Sequence, residues 1–177
     1  RTRRRPLPAH DIAPQDALVF GLILTVVSFG WLAFTTNLVA AFLSLLAIAF
    51  YVVVYTMLLK RSTPQNIVIG GAAGAFPPLV GYAAMAGHLD LVAFYLFAII
   101  FYWTPPHFWA LAIHRREEYA AVNIPMLPVT HGVAFTKLHI LLYTVIMFLI
   151  TLLPFATRLS GPLYLLGAVV LGTGFLY

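Results

Sequence analysis

Residues 91–113 read LVAFYLFAIIFYWTPPHFWALAI, a run of twenty-three without a single Asp, Glu, Lys or Arg. That length fits the roughly 20 residues an α-helix needs to cross a bilayer, whereas a porin-type strand needs only about 10 alternating residues. Four further charge-free segments, 17–34, 38–59, 67–86 and 138–156, and a sixth running from 163 to 177, account for most of the chain. Only 8% of the residues are charged and 62% are hydrophobic, against about a quarter charged in soluble domains, so a soluble fold is excluded. The expected fold class is all-α: a polytopic membrane helix bundle of six spans forming a single transmembrane domain over 1–177. Residue 1 is Arg rather than Met and the last span ends at Tyr177 without a polar flank. The sequence therefore reads as a fragment truncated at both ends.

The charges between the spans alternate. Nine of the ten Lys and Arg residues fall before the first span, around Lys60-Arg61, or in the 114–137 connection, and only Arg158 lies on the other side. Basic residues in short connections mark the cytoplasmic side of a membrane protein. This places the N-terminus and the loops 60–66 and 114–137 in the cytoplasm. The net charge of +5 is thus explained by topology, and nucleic acid is not an expected partner. There are no cysteines, which excludes disulfides, thiolate zinc sites and thiolate haem ligation. Any metal must be held by oxygen or imidazole.

Three polar clusters share the basic side. Arg1-Thr2-Arg3-Arg4-Arg5 is either an anchor for acidic lipids or a polyphosphate clamp, because Arg forks match phosphate oxygens. Lys60-Arg61-Ser62-Thr63-Pro64-Gln65-Asn66 combines basic residues with a helix start. Thr63 has the chemistry of an N-cap and Pro64 of a first helical residue, so the free amides of that helix end make an anion site or simply an ordinary cap. The third cluster, His114-Arg115-Arg116-Glu117-Glu118, leads to Asn123 within a 24-residue connection. If the preceding helix continues, His114 and Glu118 lie one turn apart, and Glu117, Glu118 and Asn123 offer oxygen ligands suited to Mg²⁺; an Arg115–Glu118 surface ion pair is the alternative.

Inside the spans, Gly70-Gly71-Ala-Ala-Gly74 precedes Pro77-Pro78, and Pro105-Pro106 precedes His107-Phe108-Trp109. Small residues let helices approach closely, and mid-span prolines free carbonyls that only a protein interior or cavity can satisfy. Two kinked helices around a cavity are expected. His107 is the one ionisable residue well inside a span; such groups are functional by default, with a histidine bonded to a freed carbonyl as the structural alternative.

Four stretches carry a resemblance: Arg1-Thr-x-x-Arg5-Pro-Leu, Tyr55-Thr-x-x-Leu-Lys60-Arg61-x-Thr63-Pro-Gln65-Asn66, Trp103-Thr-Pro-Pro-His107-Phe108-Trp109, and Asn123-Ile-Pro-Met-Leu-Pro-Val. Together they resemble the protohaem IX farnesyltransferases, a branch of the UbiA-type intramembrane prenyltransferases. The resemblance implies nine membrane helices, of which six would be present. It implies transfer of a farnesyl group from farnesyl diphosphate to a vinyl group of haem b, giving haem O in a bacterial inner membrane. Haem b is then a substrate rather than a cofactor, and Mg²⁺ is the expected ion. A haem A synthase or a terminal oxidase assembly is the implied partner. The family's first acid-rich motif would precede Arg1, so this stretch alone should be inactive.

By the same resemblance, Arg1, Arg5, Lys60, Arg61, Thr63, Gln65 and Asn66 would hold the diphosphate, and Glu118, Lys60 and Arg61 would act on its departure. Glu118, Glu117 and Asn123 would hold the metal, although Asn123 stands where a second carboxylate is expected. Tyr55, Trp103, His107, Phe108 and Trp109 would line the haem and prenyl pocket. The alternatives are a related prenyltransferase acting on a quinone precursor or chlorin, and a membrane transporter, which would call for internal repeats. A b-type electron carrier would need paired deep histidines.

Overall fold

The computed structural model describes residues 5–176, and every regular element in them is helical. Five helices are long and apolar enough to cross a membrane: α1 (Pro14–Thr35), α2 (Leu38–Ala49, continuing as a π-helix over Phe50–Leu59), α3 (Asn66–Ala86), α4 (Leu91–His114) and α7 (Gly132–Ala156). Between the last two lie the short α5 (Arg116–Ala121) and α6 (Leu127–Thr130). The expected sixth span is a shorter apolar helix of fifteen residues, α8 (Pro162–Leu176).

Two helix starts differ from the charge-free windows by more than one residue, each because the helix tolerates a charged residue near its end. Helix α1 starts three residues earlier than 17 because Asp16 sits in its first turn, where the positive end of the helix dipole favours an acid. Helix α7 starts at Gly132 rather than 138 because Lys137 lies on an exposed face and its long stem can carry the ammonium out of the hydrocarbon. The 114–137 connection is therefore not an extended loop. Its middle folds as α5 and α6, turned by Asn123, which adopts a left-handed conformation (φ 52°) that asparagine tolerates.

The spanning helices pack in a row, α1 on α2, α2 on α3, α3 on α4, α4 on α7 and α7 on α8, with α6 wedged against α4 and α7. Small residues set the spacing within the row. Ala75, Ala83, Ala93 and Ala112 are fully buried, and a Cβ on Gly71 would come within 3.0 Å of the Thr104 methyl, so α3 and α4 nearly touch there. Gly70 is covered by the Tyr55 ring of the π segment, which an added Cβ would meet at 2.2 Å. Gly74 has open space instead. Both helices run uninterrupted through their proline pairs, Pro77-Pro78 and Pro105-Pro106. The densest core, Ile67, Trp109, Ala112, Met126 and Leu127, sits at the end of the bundle where α5 and α6 fold back.

The opposite end is tied by two side chains. Asn37 caps α2 by accepting the Ala40 amide at 2.9 Å and donates to the Ala83 carbonyl at 2.7 Å, joining the α1–α2 turn to the end of α3. Asp90 caps α4 by accepting the Val92 amide at 2.9 Å and takes a hydrogen bond from the Tyr82 hydroxyl.

Asp90 carries a pH signature. The Tyr82 hydroxyl, then the helix amides and His88, hold its carboxyl below the ordinary carboxylate range against a smaller desolvation effect. A depressed folded-state pKa contributes stability that is complete above the unfolded value and lost as pH falls through the folded one. Thermal unfolding in detergent should accordingly lose stability in the acid range, and Asp90→Asn should flatten that limb while leaving neutral behaviour parallel. The glycines make a second contrast. Gly70→Ala should destabilise by about 1–3 kcal/mol because the Tyr55 ring must move, whereas Gly74→Ala should gain about 0.5–1 kcal/mol of helix propensity; denaturant midpoints separate the two.

Candidate functional site

The end of the bundle that carries the basic connections holds a cavity of about 890 Å³. Arg5 reaches it from the N-terminal segment, Lys60 and Arg61 from the turn after the π segment, and Arg115 and Glu118 from the junction of α4 and α5. Residues from all three polar clusters thus meet around one space. Arg1 lies outside the described residues.

Local backbone features bring them there. The π-helix has wider turns than an α-helix; its last bond runs from the Lys60 amide to the Tyr55 carbonyl at 2.8 Å, and the Thr56 hydroxyl donates to the Tyr51 carbonyl five residues back. Thr56, Met57 and Lys60 consequently share the cavity wall. After Lys60 the chain turns through Ser62 and Thr63, and α3 begins at Asn66, two residues later than the Thr63-Pro64 signature suggests. Thr63 keeps a capping role, since its Oγ1 accepts the Gln65 amide at 3.2 Å, but the first turn is not yet α-helical. Neither Thr63, Gln65 nor Asn66 lies on the cavity wall. Asn66 is 1% exposed and its Nδ2 donates to the Lys60 carbonyl at 3.4 Å, so it sits beneath the turn that presents Lys60. Its Oδ1 has no partner among the described residues.

The third cluster departs from a continuous helix. Helix α4 stops at His114, and Arg115 leaves helical geometry (φ −109°, ψ 24°) before α5 starts at Arg116. His114 and Glu118 therefore do not stack one turn apart. The two glutamates differ in what they reach: Glu118 lines both the basic cavity and a neighbouring crevice of about 630 Å³, while Glu117 lines only that crevice, with His114 and Arg116. Asn123 lines neither and serves the turn after α5. Among the described residues no three His, Asp or Glu side chains gather closely enough to hold a metal ion.

An apolar cleft of about 340 Å³ adjoins the basic cavity along the π segment, where Tyr55 faces the cleft and Thr56 the cavity. Gly70, Gly71 and Gly74 form its α3 wall, and Trp103, Thr104 and Phe108 its α4 wall. Of the sequence-derived pocket residues, Tyr55, Trp103 and Phe108 meet here. His107 lies outside the cleft on an exposed face, stacked on Trp103 at 4.3 Å and 17° and edge-on to Phe108 at 5.3 Å. Trp109 points the other way, 1% exposed and edge-on to Tyr143 and His139 of α7. Its indole N–H has no acceptor among the described residues.

Sequence reasoning did not assign Arg115, Thr56 or Tyr119 to the site. All three line the basic cavity. Arg115 was legible only as a partner for Glu118, and nothing in its neighbours marks the helix break that turns it inward.

The whole chain, residues 1–177, matches the model of the UbiA prenyltransferase family. Among curated proteins it is similar to one named "Protoheme IX farnesyltransferase" from Ectopseudomonas mendocina (strain ymp), 56% identical over 100% of this chain and 59% of that protein. Proteins of the same name from Azotobacter vinelandii and Methylococcus capsulatus are 58% and 54% identical, each again over 100% of this chain and 59% of the relative. The chain thus spans about three-fifths of the length of the curated relatives it matches. No solved structure matches.

Proposed function

Because the chain belongs to the UbiA prenyltransferase family, we propose that the protein it represents transfers a farnesyl group from farnesyl diphosphate to a vinyl group of haem b in a bacterial inner membrane. The observation that carries this reading is the meeting of Arg5, Lys60, Arg61, Arg115 and Glu118 around one cavity, with an apolar cleft beside it on the other face of the π segment. A prenyl diphosphate has the same division: a polyanionic head and a hydrocarbon tail. The relatives' name speaks for protohaem as acceptor, ahead of a quinone precursor or chlorin.

The chemistry asks three things of these residues. As the allylic carbon–oxygen bond breaks, its electron pair leaves on the diphosphate, and the cations of the cavity stabilise the charge that develops there. The allylic cation forms where the cavity meets the cleft, beside the face of the Tyr55 ring, whose quadrupole favours a nearby positive charge. The vinyl π electrons then form the new carbon–carbon bond. Water captures the resulting carbocation and loses a proton, so water must be kept from the first cation, which the apolar cleft walls favour.

Prenyltransferases of this family generally use a divalent metal. Here the ion would be Mg²⁺, which binds through one or two carboxylates plus substrate phosphates. The described residues offer Glu118 as the one carboxylate on the cavity wall and do not form a metal site on their own. The cations are what this chain supplies. The charge asymmetry supports a cytoplasmic position for the cavity, with Lys60, Arg61, Arg115 and Arg116 all at that end.

Four substitutions in the full-length protein test the site. Lys60→Gln and Arg115→Gln should each weaken farnesyl diphosphate affinity by about tenfold, the worth of one charged hydrogen bond. Glu118→Gln should change the dependence of turnover on Mg²⁺, and Glu117→Gln, which faces the other crevice, should not. Equal effects of the two glutamates, or unchanged affinity in both cation variants, would return these residues to topology and surface roles.

His107 belongs to the same proposal as the group that meets the haem. Its ring makes no hydrogen bond among the described residues and stands exposed beside Trp103, which leaves both nitrogens available to a planar aromatic acceptor approaching that face. Absorbance titration with haem should show weaker binding for His107→Ala, with farnesyl diphosphate affinity intact. If only thermal stability falls, the imidazole merely packs on Trp103.

A further inference from the structure

The apolar cleft has a definite lower end. Helices α3 and α4 are antiparallel neighbours, and the contact of Gly71 with Thr104 sets their register. In that register Gly74 lies opposite Ile100, and both are on the cleft wall together with Tyr51 from the π segment. The next residues outward from the basic cavity are not small. Phe50, adjacent to Tyr51, packs on Phe76 at 6.3 Å; Phe76 meets Phe97 edge-on at 6.0 Å and 90°; Phe97 stacks on Phe101 at 5.9 Å and 9°. All four rings are half-buried. Each of the three elements that form the cleft therefore contributes an aromatic ring just beyond its deepest wall residue.

We infer that the Phe50–Phe76–Phe97 cluster is the floor of the prenyl site and that Gly74, immediately above it, sets how much chain fits. This rests on the prenyl-transfer reading and extends it from the class of substrate to its length. With the head group in the basic cavity at one end, the tail would descend along Gly70, Gly71 and Gly74. A chain that ends at the rings buries its apolar surface fully. A shorter chain leaves part of the cleft unfilled, and a longer one must push rings that are already packed against one another. The missing side chain at Gly74 is functional on this view, because nothing within 4 Å prevents a larger residue there. Gly70 differs: its missing side chain is needed to seat Tyr55.

The test uses the full-length protein in detergent and non-ionisable thiolodiphosphate analogues of the geranyl, farnesyl and geranylgeranyl series, with binding as the readout and turnover of the natural diphosphates beside it. Gly74→Phe should raise the floor and reduce farnesyl relative to geranyl affinity by at least about tenfold, since even one methylene in an apolar pocket is worth that much. Phe76→Ala should lower the floor and shift preference toward geranylgeranyl by a similar factor. Phe76→Leu, a milder change, should move in the same direction should the alanine variant fold poorly. Gly81→Phe, also in α3 with open space around it but off the cleft, should leave the ratios unchanged. Farnesyl binding with unaltered ratios in the Gly74 and Phe76 variants would overturn the floor alone. Absence of binding to any of the three analogues in the unsubstituted protein would overturn the prenyl-transfer reading and the floor with it.

Discussion

Hydrocarbon cannot satisfy a charge or an unpaired backbone group, and the rest of this structure follows from that constraint. Within the spans, threonine hydroxyls are satisfied by their own helix. The hydroxyls of Thr25, Thr104, Thr136 and Thr144 each donate to the carbonyl four residues earlier at 2.8 Å. Among the described residues no ion pair holds the helices together, so their spacing comes from size: alanines on α3 and α4, glycines on α3, and a threonine methyl set on Gly71. Charged groups are driven to the helix ends. Because α2 and α4 both end at the side where α5 folds back, the cations displaced from several helices collect in one place.

The spans were legible because charge exclusion acts residue by residue, and a run without Asp, Glu, Lys or Arg needs no partner to be recognised. Their ends were less so. Asp16 and Lys137 lie inside helices that the charge-free windows exclude, since a first-turn acid and a snorkelling lysine are both tolerated there. At the site, Arg5, Lys60, Arg61 and Glu118 stood out from their types and from the side they share. Thr63, Gln65 and Asn66 belong to the same motif as Lys60 but not to the same wall. Adjacency in a turn does not give orientation, and Asn66 points beneath the turn, into the packing that holds it.

The π segment was not legible at all. FYVVVYTMLL contains only residues that an α-helix accepts, and no glycine or proline marks the change of pitch. Its consequence appears only in three dimensions, where Tyr55 comes to lie on the bare backbone of Gly70 and thereby divides the polar cavity from the apolar cleft. The Gly70–Gly74 spacing suggested one helix-packing motif. In the structure the two glycines do different things: Gly70 receives a ring, and Gly74 leaves space.

The balance of charge in the cavity constrains what can occupy it. Four cations, Arg5, Lys60, Arg61 and Arg115, surround a space walled by one carboxylate, Glu118. Placed near apolar walls, like charges repel more strongly than they would in water, so the gathered cations strain against one another and a polyanion relieves that repulsion on entry. Glu118 acts in the opposite sense. It eases the repulsion among the cations while the cavity is empty, yet it would repel a phosphate brought beside it. A bound diphosphate and an ionised Glu118 sit together more favourably with a positive charge between them. In the proposed chemistry a divalent ion would be one such positive charge, and Glu118 would be the carboxylate beside it. The arginines alone would suffice for an anion that merely binds; a carboxylate facing that anion gains its use when a third, positively charged party bridges the two.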